Sequence, residues 1–105
     1  MYTRQIDPND PKTWADIKHC QPGHEFVYRL RDAKGRLLYV GITWSAKARW
    51  EKHRAKKAWW PLVASVDIEC YPDERSALSA ELEAIRIESP IHNLRGAVTA
   101  CPGSK

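Results

Sequence analysis

The apolar positions of the chain change period along its length, and each change marks an element. Residues 26–31, "FVYRLR", and 37–42, "LLYVGI", are rich in aromatic and branched side chains. They flank "DAKG", the composition of a hairpin loop closed by glycine, so both read as strands. Residues 63–70 alternate, with Ala64, Val66, Ile68 and Cys70 on one side and Ser65, Asp67 and Glu69 on the other, the pattern of a half-buried third strand. Between them, residues 45–57 lack glycine and proline and start at a plausible N-cap, Ser45, which predicts a helix; Pro61 then interrupts the chain. Asp73 is placed to cap a second helix over 74–88 that stops at Ser89 and Pro90, with Leu78, Leu82 and Ile85 as its apolar stripe and Glu81 at the stripe's edge. Near the start, Asp10 and Pro11 fit the N-cap and first position of a short helix through Ile17. The order β, β, α, β, α predicts an α+β domain, a small three-stranded sheet flanked by helices. Residues 1–24 read as a lead-in, 25–95 as the domain and 96–105 as a flexible tail.

A four-residue loop over 32–35 would pair Arg31 with Arg36, and continuing that antiparallel register sets Tyr28 opposite Tyr39 and Gly41 opposite Phe26. Like charges facing each other at the hairpin end repel, so an anionic partner is expected there. Gly41 leaves a place without a side chain where another segment or a ligand can approach.

Composition narrows the setting. The 105 residues and five tryptophans suit one folded domain with a modest core. No stretch approaches the roughly 20 apolar residues of a membrane span, and the opening lacks the apolar run of a signal peptide, so a cytoplasmic protein away from membranes is expected. Three cysteines, Cys20, Cys70 and Cys101, with no CxxC pair, read as reduced thiols. His19, Cys20 and His24 lack a fourth ligand and a standard zinc spacing.

Charge then separates the halves. Residues 29–57 hold ten Lys and Arg against Asp32 and Glu51, a balance of +8, whereas 67–93 hold seven acids against Arg75 and Arg86, a balance of −5. Such a basic segment suits a phosphate backbone, with Arg29, Arg31, Arg36, Lys47, Lys52, Arg54, Lys56 and Lys57 as candidate contacts. Trp44, Trp50, Trp59 and Trp60 are candidate stacking surfaces, although Trp59 and Trp60 fit a core better.

Arg49 and His53, four apart on the first helix, share a face and can act together, the arginine as a planar fork for phosphate oxygens and the histidine as a proton carrier. Glu81 beside the core needs a cation, which either an arginine or a divalent metal would supply. Two phenols, an Arg and His pair and a carboxylate beside a basic surface make an inventory for phosphodiester cleavage. Arg49 would hold the phosphate, and a phenol or the imidazole would take a proton from water.

These residues also carry a resemblance. "FVY" at 26–28 and "YVG" at 39–41 stand where the GIY-YIG nucleases have GIY and YIG, with Phe26 and Val27 replacing the first Gly and Ile. Arg49, His53, Glu81 and Asn93 follow at the family's intervals. The resemblance implies a three-stranded sheet with flanking helices and one active site using a single divalent ion, Mg2+ or Mn2+, on Glu81. It implies Tyr28 as general base or water-orienting phenol, Tyr39 as its partner, Arg49 as phosphate clamp, His53 as alternative base and Asn93 as a supporting residue. The expected function is a stand-alone metal-dependent DNA endonuclease, aided if needed by a protein partner that supplies the target. The competing expectations are a catalytically inactive nucleic-acid-binding module of the same fold and a basic interaction domain in which Arg49 pairs with Glu81.

Overall fold

The computed structural model describes residues 2–14 and 25–92. Asn93, the His19, Cys20 and His24 group, residues 15–17 of the expected first helix and the 96–105 tail all lie outside them. The fold is α+β, as the patterning predicts, but the antiparallel sheet has four strands, not three, in the order β1 (Tyr2–Gln5), β4 (Val63–Tyr71), β2 (Glu25–Asp32), β3 (Leu37–Thr43). β1 is too short to show an alternation, so nothing in its pattern announces it. It is held at the sheet edge by pairing of residues 2–5 with residues 65–68 of β4 and by the Thr3 hydroxyl, which donates to Asp67 at 2.6 Å. Cys70 is disulfide-bonded, which corrects the reading of it as a reduced thiol.

Two helices cover opposite faces. On one face Phe26, Tyr28, Leu30, Leu38 and Tyr39 join a core closed by Trp50 of α1 (Ala46–Lys56), by Trp14 of a 3-10 turn (Pro11–Trp14) and by Trp59 and Trp60 around the turn that holds Pro61. Trp14 meets Trp50 and Trp60 edge to face at 6.1 and 5.4 Å between ring centroids, a geometry that suits the aromatic quadrupoles. On the other face Val27 and Val40 pack on α2 (Glu74–Glu88), whose side chain cap is Asp73, accepting from the Ser76 N–H at 2.7 Å. The stripe α2 buries is Ala77, Glu81, Ala84 and Ile85; Leu78 and Leu82 are 43% and 52% exposed. The correction has a steric reason, since alanines let the helix backbone lie close to the sheet, whereas a leucine face would hold it off.

The hairpin also departs from the expected register. Asp32 N–H donates to Arg36 O at 3.0 Å, and the Asp32 carboxylate accepts from the Lys34 and Arg36 N–H groups, both at 2.9 Å. The loop is therefore residues 33–35, with Gly35 at φ +82, the left-handed conformation that a three-residue hairpin demands. A bulge after Leu30 then takes up one more residue, so Leu30 faces Tyr39 and Tyr28 faces Gly41. The two slips add to two. A slip of one would have turned the tyrosines to opposite faces, but a slip of two returns them to the same face as diagonal neighbours.

Candidate active site

Tyr28 is fully buried, and its ring lies across the strand over Gly41. A Cβ built on Gly41 would stand 2.5 Å from the Tyr28 hydroxyl oxygen and 2.9 Å from Tyr39 Cε2, closer than real Cβ atoms come. Glycine at this position is what allows both phenols to reach one point. The two rings are 6.2 Å apart.

α1 brings the next two groups to that point. The Tyr28 hydroxyl and His53 Nε2 are hydrogen-bonded at 2.8 Å, with donor and acceptor set by the ring tautomer. The Arg49 guanidinium, one turn earlier, lies against both phenol oxygens; although partial burial opposes it, the phenols hold its pKa above the ordinary value. Burial, then Tyr39, push the Tyr28 phenol upward, while Arg49 pulls the other way and the Glu81 carboxylate adds to the rise. Glu81, 4% exposed on α2, is thus within electrostatic reach of the same phenol from the opposite side of the sheet. For His53, burial together with the positive charges of Arg49 and Lys57 lowers the pKa to about 4, so the imidazole is neutral at physiological pH and open to a proton.

Aromatic walls enclose these groups. Trp59 stacks on Tyr39 at 5.2 Å and on His92 at 5.4 Å, and Trp60 stacks on His53 at 6.2 Å. His92 is fixed in turn by its backbone N–H, which donates to Leu38 O at 2.8 Å along the outer edge of β3. The remaining side is open: a cleft of about 190 Å3 lined by Tyr39, Arg49, Lys52, His53, Lys56 and Lys57. Tyr39, Arg49 and His53 thus open onto a basic cleft, with the Tyr28 phenol buried behind His53 and Glu81 beyond it on α2.

The family model of the GIY-YIG catalytic domain matches residues 24–94. The chain belongs to the GIY-YIG family. It is a nuclease-type family, and "YVG" of this GIY-YIG chain holds both the second phenol and the glycine over which the first one lies. No curated protein matches the chain.

Of the residues singled out in the sequence, the fold therefore brings Tyr28, Tyr39, Arg49 and His53 together, sets Glu81 within electrostatic reach of Tyr28, and lines the approach with Lys52, Lys56 and Lys57. It carries Arg29 and Arg31 to the α2 face instead. There Arg29 donates to Glu88 at 3.0 Å and to Glu69 at 3.3 Å, and Arg31 donates to Asp67 at 2.9 Å. Arg36 pairs with Asp32 beside the hairpin loop at 2.7 Å, which supplies the anion expected at the hairpin end. Lys47 and Arg54 are exposed on α1 outside the cleft. Sequence reading missed the part of Trp59 and His92, whose only signal was an aromatic pair before Pro61 and a histidine two residues after Pro90. Among the described residues no helix is long and apolar enough to cross a membrane.

Proposed function

We propose that this GIY-YIG protein is a metal-dependent endonuclease that hydrolyses DNA phosphodiester bonds. The observation that carries the reading is the 2.8 Å bond between the Tyr28 hydroxyl and His53 Nε2 at the base of a lysine-lined cleft. Tyr28 is too buried to be a resting phenolate, but it need not become one. As the phenol oxygen accepts a proton from the attacking water, its own proton passes to the neutral His53 Nε2, and Arg49 offsets the charge that develops on the phenol oxygens. Arg49 is also the clamp for the scissile phosphate, with Lys52, Lys56 and Lys57 on the flanking phosphates. Tyr39 packs edge-on against His53 at 4.9 Å and keeps the imidazole aimed at Tyr28. Asn93 is assigned a supporting place on the family's spacing.

Glu81 is the residue that would hold a divalent ion. Its carboxylate is a hard oxygen donor, and water and phosphate oxygens would complete the shell. That set suits Mg2+, and Mn2+ accepts the same oxygens. When bound, the ion supplies charge neutralisation at the scissile phosphate.

Cleavage of supercoiled plasmid with Mg2+ or Mn2+ tests the reading. Wild type should cut only with the metal, and Glu81→Ala and Tyr28→Phe should each lose on the order of 100-fold in rate or more. Metal-independent or absent cutting, or a Glu81→Ala variant as active as wild type, would overturn it. Salt-sensitive binding without cutting would point to the inactive binding module instead.

A further inference from the structure

His53 has to take up a proton in surroundings that oppose a positive charge. On α1, Arg49 stands four residues before it and Lys57 four after, one helical turn to either side, and all three line one cleft. The Lys57 N–H donates to the His53 carbonyl at 2.7 Å, which closes the last turn of the helix and ties the lysine to the histidine. Lys52 and Lys56 line the same cleft. The other elements packed on the imidazole present aromatic groups. β2 brings the Tyr28 phenol at 2.8 Å, β3 the Tyr39 ring at 4.9 Å, and the turn around Pro61 the rings of Trp59 and Trp60 at 5.5 and 6.2 Å. The Glu81 carboxylate acts on the Tyr28 phenol, from the far side of the sheet. Burial comes first among the causes that lower the His53 pKa to about 4, and the charges of Arg49 and Lys57 follow. Proton transfer is most efficient when the acceptor's pKa lies near the working pH, so the imidazole at rest is poorly matched to its task. A phosphate in the cleft changes that. It sets negative charge beside Arg49 and the lysines and cancels the field that opposes the imidazolium, while the burial stays in place.

We propose that Lys57 acts through His53 as a substrate sensor: with Arg49 it keeps the imidazole from taking a proton until a DNA phosphate in the cleft neutralises them, so that binding itself readies the relay. The inference rests on the endonuclease reading for the relay and for the phosphate, and adds to it how the site is regulated. When the relay runs, a water proton goes to the Tyr28 oxygen and the Tyr28 proton to His53 Nε2. The imidazolium so formed is balanced by the phosphate in the cleft and later returns its proton to solvent. Without DNA the same cations hold His53 neutral, and the buried phenol keeps its proton.

The imidazole Cε1–H signal of His53, identified among the four histidines by its loss in His53→Gln, is followed by NMR as pH is lowered. The titration is run at low salt in EDTA, so that no cutting occurs, with the protein free and saturated with a short oligothymidylate. The oligonucleotide should raise the His53 midpoint by about one pH unit. Mere occupancy of the cleft would act the other way, since a ligand that only excludes water buries the ring further and lowers its proton affinity. Free Lys57→Gln should take up the proton at higher pH than free wild type and gain less on binding, whereas Lys57→Arg, which keeps the charge, should match wild type. In cleavage with metal, kcat reports the bound enzyme and kcat/KM the free one, so the acid limb of kcat should lie about one unit above that of kcat/KM, and Lys57→Gln should narrow the gap. Circular dichroism confirms folding of each variant at each pH. The proposal is overturned by an oligonucleotide that leaves the His53 midpoint unchanged or lowers it, by a Lys57→Gln variant whose free midpoint and gain equal those of wild type, or by Lys57→Arg behaving as Lys57→Gln does. A midpoint that rises in a protein that never cuts fails the endonuclease reading alone, and metal-dependent cutting with an unmoved His53 fails this inference alone.

Discussion

Gly41 and His53 set the limits within which the site works. At Gly41 the missing side chain is a spatial requirement, because the Tyr28 hydroxyl oxygen occupies the place a Cβ would take, at 2.5 Å, with Cζ at 2.7 Å. Gly41→Ala should therefore cost about 1 to 3 kcal/mol of stability through overpacking. It should also cut plasmid cleavage far more than the stability loss explains, since Tyr28 must swing away from His53. Denaturant melts and cleavage rates on the same preparation check both, and an alanine variant with wild-type activity would remove Gly41 from the account. His53 answers to pH. Its folded pKa, near 4, lies below the ordinary value of 6.5, so the unfolded chain takes up its proton first as pH falls. The stability this group contributes is present above about pH 6.5 and is lost between there and pH 4, by at most about 3 kcal/mol from a shift of this size. Asp32 and Asp67 begin to be lost only lower: burial opposes them, but hydrogen bonds from Arg36 to Asp32 and from Thr3 and Arg31 to Asp67 hold both below ordinary carboxyl values. Urea melts from pH 4 to 7 should thus show a steep loss in wild type and a flatter one in His53→Gln, which has nothing to protonate there.

The elements show where sequence patterns carry and where they stop. α2 begins after the expected cap, Asp73, and spans the expected 74–88, because capping chemistry and the helix-ending proline are local signals. Its buried face is not local. Hydrophobicity points to Leu78 and Leu82, but the distance to Val27 and Val40 is set by the alanines, so Ala77 and Ala84 go inward and Glu81 with them. Leu78→Glu and Leu82→Lys should each change stability by no more than about 0.5 kcal/mol, whereas Ala84→Leu should cost about 1 to 3 kcal/mol by forcing α2 off the sheet. Thermal melts separate the two faces, and a large loss at Leu78 or Leu82 would return them to the core. The hairpin teaches the same lesson at closer range. Strands and closing glycine were legible, while the loop's length and the bulge after Leu30 were not, the bulge because it answers to the joint fit of Leu38 and Tyr39 against the α1 core. That Tyr28, Tyr39, Arg49 and His53 would lie close together was legible because the family's motif is one of ordered spacings, and those spacings survive a register error of two residues. The Trp59 and His92 wall was hidden because it joins a turn to a segment 33 positions later, a separation no local pattern spans.

Across the whole molecule the sheet sorts the basic residues into two populations. On the α2 side Arg29 is held by Glu88 and Glu69 and Arg31 by Asp67, so their charge is already balanced by carboxylates. On the α1 side Lys52, Lys56 and Lys57 line the open cleft with Arg49, and none of the three lysines is in the ion pairs of Arg29, Arg31 and Arg36 described above. Of these two groups, the second is the one to which we assign the DNA contacts. Replacing Lys52, Lys56 and Lys57 by Gln should flatten the plot of log affinity against log salt by about 0.7 to 0.9 per lysine. Arg29→Gln should leave that slope unchanged and instead cost about 1 to 3 kcal/mol of stability, because it strands two carboxylates at a partly buried site. Filter binding over a salt series, with denaturant melts of the same variants, measures both quantities. If Arg29→Gln lowered the slope as a lysine replacement does, DNA would have to reach the α2 face, and Arg49 and the cleft beside it could not be where the duplex is gripped.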